Sequence, residues 1–367
     1  MSLRDRPFAF VPTLALVVLT AACGGSEGGG TATDVIPVAA ADDACEVQAG
    51  DLEAGTHEFV VTNGGSTTTE FYVYAEGDRV MAEVENIDPG LSRKLLAELP
   101  AGTYEAVCKP GMAGEGVRQQ LTVIGEAAQL SDDESLAQAG ADYQRYVRSQ
   151  TAALLEQTSA FVDAVTAGDL AGAKALYPVA RTYWERIEPV AEVFGDLDPR
   201  IDGREGDQAE GEDFTGFHRI EKALWQEGDV SGMGGYADQL LTDVEEIVAR
   251  ADETTLEPLQ LANGAKALLD EVAGGKITGE EDRYSHTDLW DFQANVEGSK
   301  AAIAALRPVL VERDAGLVKT IDAKFAAVDA LLAKHAKGSG FKLYTELSKE
   351  EIKKLATAID AVAEPGS

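Results

Sequence analysis

Basic side chains, histidines and cysteines are all scarce in this sequence. Only 31 Lys and Arg stand against 64 Asp and Glu, a formal charge of -33 over 367 residues. Such a surface repels nucleic acid, concentrates cations and keeps the chain soluble. There are four His, and none forms the paired-His motif of His-Glu-x-x-His zinc peptidases. There are three Cys, too few for a disulfide-dense scaffold. Beyond the N-terminal region no apolar run approaches the roughly 20 residues a membrane helix needs. What remains is a globular composition, 45% hydrophobic, on a chain long enough for two domains.

The N-terminus carries Arg4 and Arg6, an apolar run from Phe8 to Leu19, then Thr20-Ala21-Ala22 before Cys23. This reads as a secretory signal over 1–22. Small residues followed directly by Cys resemble a bacterial lipobox, although Thr20 stands where that pattern prefers Leu. The expectation is export, lipidation at Cys23 and anchoring to the outer face of the cytoplasmic membrane. Residues 23–34, rich in Gly, Ser and Thr, suit a flexible tether. Cys45 and Cys108 are then left outside the cytosol, where a single bridge is the simplest reading.

From 35 to 125 short alternating apolar runs are separated by turn signals, as in His57–Thr62 before Asn63-Gly64-Gly65 and Glu70–Tyr74 before Glu76-Gly77-Asp78. They predict a small all-β sandwich. After a linker over 126–134 the pattern turns helical, with Ser131-Asp-Asp-Glu134 as an expected capping box. Periodic segments at 132–167, 170–194, 214–227, 235–251, 256–273, 287–306, 314–336 and 348–363 predict an all-α bundle domain over 135–367. The fold class expected is therefore multidomain, β-sandwich then helical bundle.

His218 and Glu221 stand three residues apart in a helical segment, so their side chains lie about 60° apart on one face. Both can reach one ion. Imidazole plus carboxylate suits iron, manganese or zinc better than calcium. Glu185 and Glu188 repeat the spacing among aromatic and aliphatic neighbours, with Pro189 expected to end or kink the helix. The plain alternative pairs these acids with Arg181 and Arg186 at the surface. Asp202, expected in a loop, and Glu281, just before Tyr284-Ser-His-Thr-Asp-Leu-Trp290, are further candidates. That last stretch also reads as Ser285 or Thr287 capping a helix.

The segments Tyr183-Trp-Glu-Arg-Ile-Glu-Pro189, Gly216-Phe-His-Arg-Ile-Glu-Lys-Ala-Leu-Trp225 and Lys276-Ile-Thr-Gly-Glu-Glu-Asp-Arg-Tyr-Ser-His-Thr-Asp-Leu-Trp-Asp-Phe-Gln-Ala-Asn295 closely resemble the imelysin-like domain of the EfeO family. These are extracytoplasmic components of EfeUOB-type iron uptake systems. The resemblance covers nearly all of the mature chain, including the order of a cupredoxin-like domain before an imelysin-like one. It implies that His218 and Glu221 are metal ligands and that Glu185, Glu188, Asp202 and Glu281 complete the pocket. It further implies a non-enzymatic role, iron as Fe2+ or Fe3+ (with copper or zinc as alternatives), and as partners a membrane iron permease and a haem peroxidase of the same system. Two other functions stay open: copper-assisted iron oxidation by the β-domain, and metallopeptidase activity of imelysin type.

The stretch Ala101–Met112 looks like a cupredoxin ligand loop, but no His follows Cys108 and His57 is the sole histidine of that domain. A His-His-Cys-Met blue copper site cannot be assembled. Either Cys45 and Cys108 form a disulfide, or they join Glu70 and Met112 in a different metal site.

Overall fold

The computed structural model describes residues 34–77, 79–112, 114–126, 130, 133–208, 211 and 213–363. The expected signal, the lipidation site Cys23, the tether up to residue 33 and the capping residue Ser131 lie outside the described residues. Nine strands come first: β1 (Asp34–Ala41), β2 (Ala44–Val47), β3 (Leu52–Glu53), β4 (Gly55–Asn63), β5 (Thr69–Ala75), β6 (Arg79–Ile87), β7 (Ser92–Leu99), β8 (Gly102–Pro110) and β9 (Val117–Ile124). They form two sheets, ordered β2-β1-β4-β7 and β3-β9-β8-β5-β6. The pairings β1 with β4 and β3 with β9 are parallel, and the others are antiparallel.

Alternation explains the packing. In β4 the buried side chains are His57, Phe59, Val61 and Asn63, every second residue, so one face of the strand closes the sandwich core. Phe59, Phe71, Val73, Leu95 and Cys108 meet there. In β5 both faces are covered: Phe71 and Val73 point into the sandwich core, whereas Tyr72 and Tyr74 stack on each other in a separate cluster with Val80 and Val107.

The helical domain contains α1 (Glu134–Thr166), α2 (Leu170–Glu185), a 3₁₀ segment (Glu188–Phe194), α3 (Leu197–Asp202), α4 (Gly216–Lys222), a π turn (Ala223–Glu227), α5 (Gly234–Glu253), α6 (Pro258–Gly274), α7 (Asp288–Leu332) and α8 (Lys349–Ala363). There are two apolar cores. One gathers Tyr143, Phe161, Tyr177, Trp184 and Phe217 from α1, α2 and α4. The other gathers Leu269, Val272, Phe292, Phe325 and Ile359 from α6, α7 and α8. The long helix α7 serves both, since Leu306 and Val309 belong to the first and Val296 and Val328 to the second.

Four boundaries differ from the periodicity. The segment 170–194 is not one helix: α2 stops at Glu185, and Pro189, which has no amide to donate, lies in the first turn of the 3₁₀ segment. The segments 287–306 and 314–336 are joined in α7, which breaks only at Asp314 (φ -153°, ψ 86°) and keeps Pro308 inside. Asp202 is the last residue of α3, not a loop residue. The α1 cap is Asp133, whose carboxylate accepts from the Ser135 and Leu136 amides.

Two glycines let elements approach closely. A Cβ on Gly264 of α6 would sit 1.7 Å from the Pro189 carbonyl oxygen, and one on Gly216 would sit 2.2 Å from that of Ile201. The first seats the 3₁₀ segment on α6, and the second docks α4 against α3. Across the domains, α6 holds the sandwich through Gln260 to the Val80 carbonyl (3.3 Å), Asn263 to the Leu96 carbonyl (2.6 Å) and Asp270 to Arg93 (3.0 Å).

Cys45 and Cys108 form a disulfide with Cα atoms 5.4 Å apart, closing 63 residues of chain between the two sheets. On chain-entropy grounds a loop of this length is worth about 4 kcal/mol. The double variant Cys45→Ser/Cys108→Ser is expected to lose stability on that order in urea titrations of the oxidised chain, and an unchanged midpoint would remove the bridge as a brace of the sandwich.

Candidate metal centre

Helix α4 begins at Gly216, whose left-handed φ of 75° and missing side chain let it pack against the end of α3, and its first turns carry Phe217, His218, Ile220 and Glu221 into the interior. The Glu221 Oε1 accepts from the Tyr284 and Ser285 amides at 2.9 and 2.7 Å. Its Oε2 lies 3.0 Å from His218 Nδ1. An anion there makes Nδ1 the donor, which directs the other ring nitrogen away from Glu221 as the atom that carries either a proton or a metal. His218 is 1% exposed. Its Nε2 has no hydrogen-bond partner, yet it faces Asp202 Oδ1 at 3.6 Å and Glu281 Oε1 at 3.5 Å.

Two buried protein cations share this cluster, and Arg204 also reaches Glu281 at 3.2 Å. Arg181 of α2 is fully buried and its guanidinium reaches Glu185, Asp202, Glu281 (3.2 Å), Asp291 (3.3 Å) and Asp282 (3.5 Å). Lys276 contacts Glu188, Glu185 (3.2 Å) and Glu281 (3.8 Å). Asn295 adds amide bonds to Glu185 and Glu188 at 2.8 and 2.6 Å.

These contacts sort the acids. Burial alone would raise the Glu185 carboxyl, but Lys276 and Arg181 hold it down to about 2. Glu281 is likewise held well below its usual range against burial by Lys276 and by the neighbouring His218 imidazole. Burial drives Glu188 and Asp291 the other way, and like-charged neighbours add to the rise. Burial and Arg181 push His218 towards the neutral form, yet Glu221, Glu281 and Asp202 outweigh them and carry it up to about 10. A positive charge at Nε2, whether proton or metal, is what this position favours.

All six sequence candidates of the helical domain fall in one contiguous cluster. Carboxylate and imidazole atoms of Asp202, His218 and Glu281 lie within 4.8 Å of one another, as do those of His218, Glu221 and Asp282, and those of Glu185, Glu188 and Asp202. Glu185 does pair with Arg181, but the pair is in the interior rather than at the surface, while Arg186 pairs with Glu297 at 2.8 Å. The sequence reading missed Lys276, Asp291 and Asn295. The run Asp288, Asp291, Asn295 on α7, polar residues at helical spacing among Leu289, Phe292 and Val296, was the available signal.

In the β-domain the four candidates do not converge. Cys45 and Cys108 are bonded to each other, so neither sulfur is a free thiolate. Glu70 lies on the opposite face of β5 from the core containing Phe71 and Cys108, and its Oε2 accepts from the Tyr72 hydroxyl at 3.0 Å. Met112 is 41% exposed on a left-handed turn. The alternative Cys45, Cys108, Glu70 and Met112 metal site is therefore not assembled.

The imelysin family model matches residues 139–367, and a model described as cupredoxin-like domain matches 12–123. A protein of Escherichia coli O157:H7 named iron uptake system component EfeO is 43% identical over 336 residues, 90% of this chain and 88% of its own. The chain belongs to the EfeO family. Its imelysin domain contains the whole His218 cluster, and its cupredoxin-like domain is the sandwich. A second protein of that name, from E. coli O6:K15:H31 (strain 536), is 42% identical over 95% of each chain. Among solved structures, dithionite-reduced auracyanin of Roseiflexus castenholzii aligns at 17% identity and TM-score 0.21, covering 26% of this chain and all of its own.

Removing a buried cation leaves its partners uncompensated, at a cost of about 3–5 kcal/mol. Arg181→Met keeps the volume of the stem but strands Glu185, Asp202 and Asp291, so its thermal midpoint is expected to fall steeply, with Arg181→Lys intermediate. A midpoint equal to that of the native chain would show that Arg181 does not hold the cluster together.

Proposed function

We propose that the chain is an exported, lipid-anchored iron-binding protein that captures iron outside the cell and delivers it to a membrane permease. The observation that carries this reading is the buried, unpartnered His218 Nε2 aimed between Asp202 and Glu281. It is supported by the relatives, each named as an iron uptake system component. His218, Asp202 and Glu281 are the first ligands in this reading. Glu221 orients the imidazole, and Glu185 and Glu188 supply further carboxylate beyond Asp202. One imidazole with several carboxylates suits a hard or borderline first-row ion.

The same contacts account for release. Asp202 and Glu281 are both held by Arg181, and Glu281 also by Arg204 at 3.2 Å. An arriving ion must share these oxygens with protein cations, so the site binds less tightly than a closed cage and its cargo can be handed on. Peptidase chemistry finds less support, because the carboxylates that could act as general base are engaged by Arg181 and Lys276 or by backbone amides. Copper oxidation finds less support: both thiols are in the disulfide, which leaves His57, whose Nε2 is bonded to the Glu53 carbonyl at 2.9 Å and whose Nδ1 is unpartnered, without a thiolate or second imidazole beside it.

Calorimetry and metal analysis with iron, manganese, zinc and copper test the site. His218→Ala is expected to weaken iron binding at least tenfold, about 1.4 kcal/mol, and equal binding by both proteins would sink the reading. The anchor is checked separately by cell fractionation: Cys23→Ser is expected to move the protein from the membrane to the soluble fraction, and retention in the membrane would exclude lipidation at Cys23.

A further inference from the structure

Between sandwich and helices lies a cavity of about 190 Å3 whose lining carries nine carboxylates against two basic side chains, Arg204 and Lys276. Its inner end is made by Glu188, Asp202 and Glu281 of the cluster described above. Its outer wall is made by Glu83 and Glu85, which sit two residues apart on β6 and so share a face, and by Glu192 of the 3₁₀ segment. One oxygen from each of these three lies within 4.8 Å of the other two.

Carboxylates in a group prove nothing alone, but two further observations point to a ligand. First, Glu83 Oε2 is buried with no hydrogen-bond partner. Among the described residues no Lys or Arg forms an ion pair with Glu83, Glu85 or Glu192; Lys109 instead sits over the Tyr72 ring at 4.3 Å. The inner carboxylates are treated differently, since Glu185, Glu188, Asp202 and Glu281 each meet Arg181 or Lys276. Second, the cavity ends on Asp202 and Glu281, the two residues that flank the unpartnered Nε2 of His218, a side chain 1% exposed. The cavity thus runs from the uncompensated acids of the sandwich to the two carboxylates that flank the imidazole.

We propose that Glu83, Glu85 and Glu192 form a second cation site, built jointly by the two domains, for a hard divalent or trivalent ion such as Mn2+, Fe2+ or Fe3+. All-oxygen donors favour such ions over soft ones. The Tyr72 hydroxyl, which contacts Glu70 at 3.0 Å and Glu85 at 3.4 Å, orients the wall. The site lies outside the His218 cluster and shares only the cavity with it, so an ion held there stands on the path to the inner site.

Binding of Mn2+ to the full disulfide-bonded chain, read from the loss of the free-ion electron paramagnetic resonance signal, tests this directly. The native chain is expected to hold two ions. Glu83→Gln/Glu85→Gln should lose one of them while His218→Ala loses the other, and Glu192→Gln, a change on the other domain, should lose the same ion as the β6 variant. Circular dichroism of the three variants checks that each keeps its fold. Binding lost in His218→Ala and untouched by the β6 and Glu192 variants would overturn the second site and leave the capture site standing. The reverse pattern would support the second site and sink the capture site, and a native chain that binds no Mn2+ and no Fe2+ would overturn both.

Discussion

A guanidinium shut away from water must be met by carboxylates, and Arg181 is fully buried. Its partners come from its own helix (Glu185), from α3 (Asp202), from the turn before α7 (Glu281, Asp282) and from α7 (Asp291). Four parts of the chain must therefore converge on one point, and that point adjoins His218. Replacing a buried ion network by apolar residues of similar volume is often neutral or stabilising. Stability alone thus gives no reason for the network. A function that needs carboxylates kept ionised inside the protein does, because Lys276 holds both Glu185 and Glu281 in that state, with Arg181 adding to the first and His218 and Arg204 to the second.

The sandwich and the helices meet along α6. Its N-terminal half bonds to the sandwich through Gln260 and Asn263, its glycine at 264 admits the 3₁₀ segment, and just beyond its end comes Lys276. One helix thereby ties the β-domain to both the carboxylates of Glu188 and Glu192 and the cation that serves the inner cluster. The disulfide acts on the same geometry from the other side. It joins β2 to β8 within the sandwich, and β8 is the partner of β5, whose other neighbour β6 carries Glu83 and Glu85.

Period and spacing made part of this legible. Alternation in 35–125 and helical periodicity beyond it are local properties, so the order of a β-sandwich before a helical bundle could be read from the chain alone. The His218 and Glu221 pair was equally local, one helical turn apart. What spacing does not contain is depth. The Arg181 and Glu185 pair has the form of an ordinary surface ion pair, and only contacts from α3 and α7 far along the chain put it inside. Lys276 and Glu188 are 88 residues apart, and no local signal links them. Asp202 was misplaced because a helix of six residues, Leu197–Asp202, is too short to establish a period. Glu83 and Glu85 went unread for a related reason: in a strand they look like a solvated face, and here that face is covered by the other domain.

The treatment of charge differs from one end of the cavity to the other, and that difference bears on how an ion would move through it. In the proposed second site, carboxylates that pair with no Lys or Arg would offer an ion oxygens free of competition but, lacking imidazole, would not discriminate strongly among hard ions. Inner carboxylates already paired with Arg181 and Lys276 attract less, yet they stand beside His218, whose nitrogen favours borderline first-row ions. On that proposed reading, an ion taken first by the outer oxygens and then by a better donor set would descend in two steps rather than one. Each step would exchange one group of oxygens for another along the cavity, and at the inner step competition from Arg181 and Lys276 would keep binding reversible. A carrier that must both gather and surrender a scarce ion is served by that ordering, with attraction outermost and competition innermost.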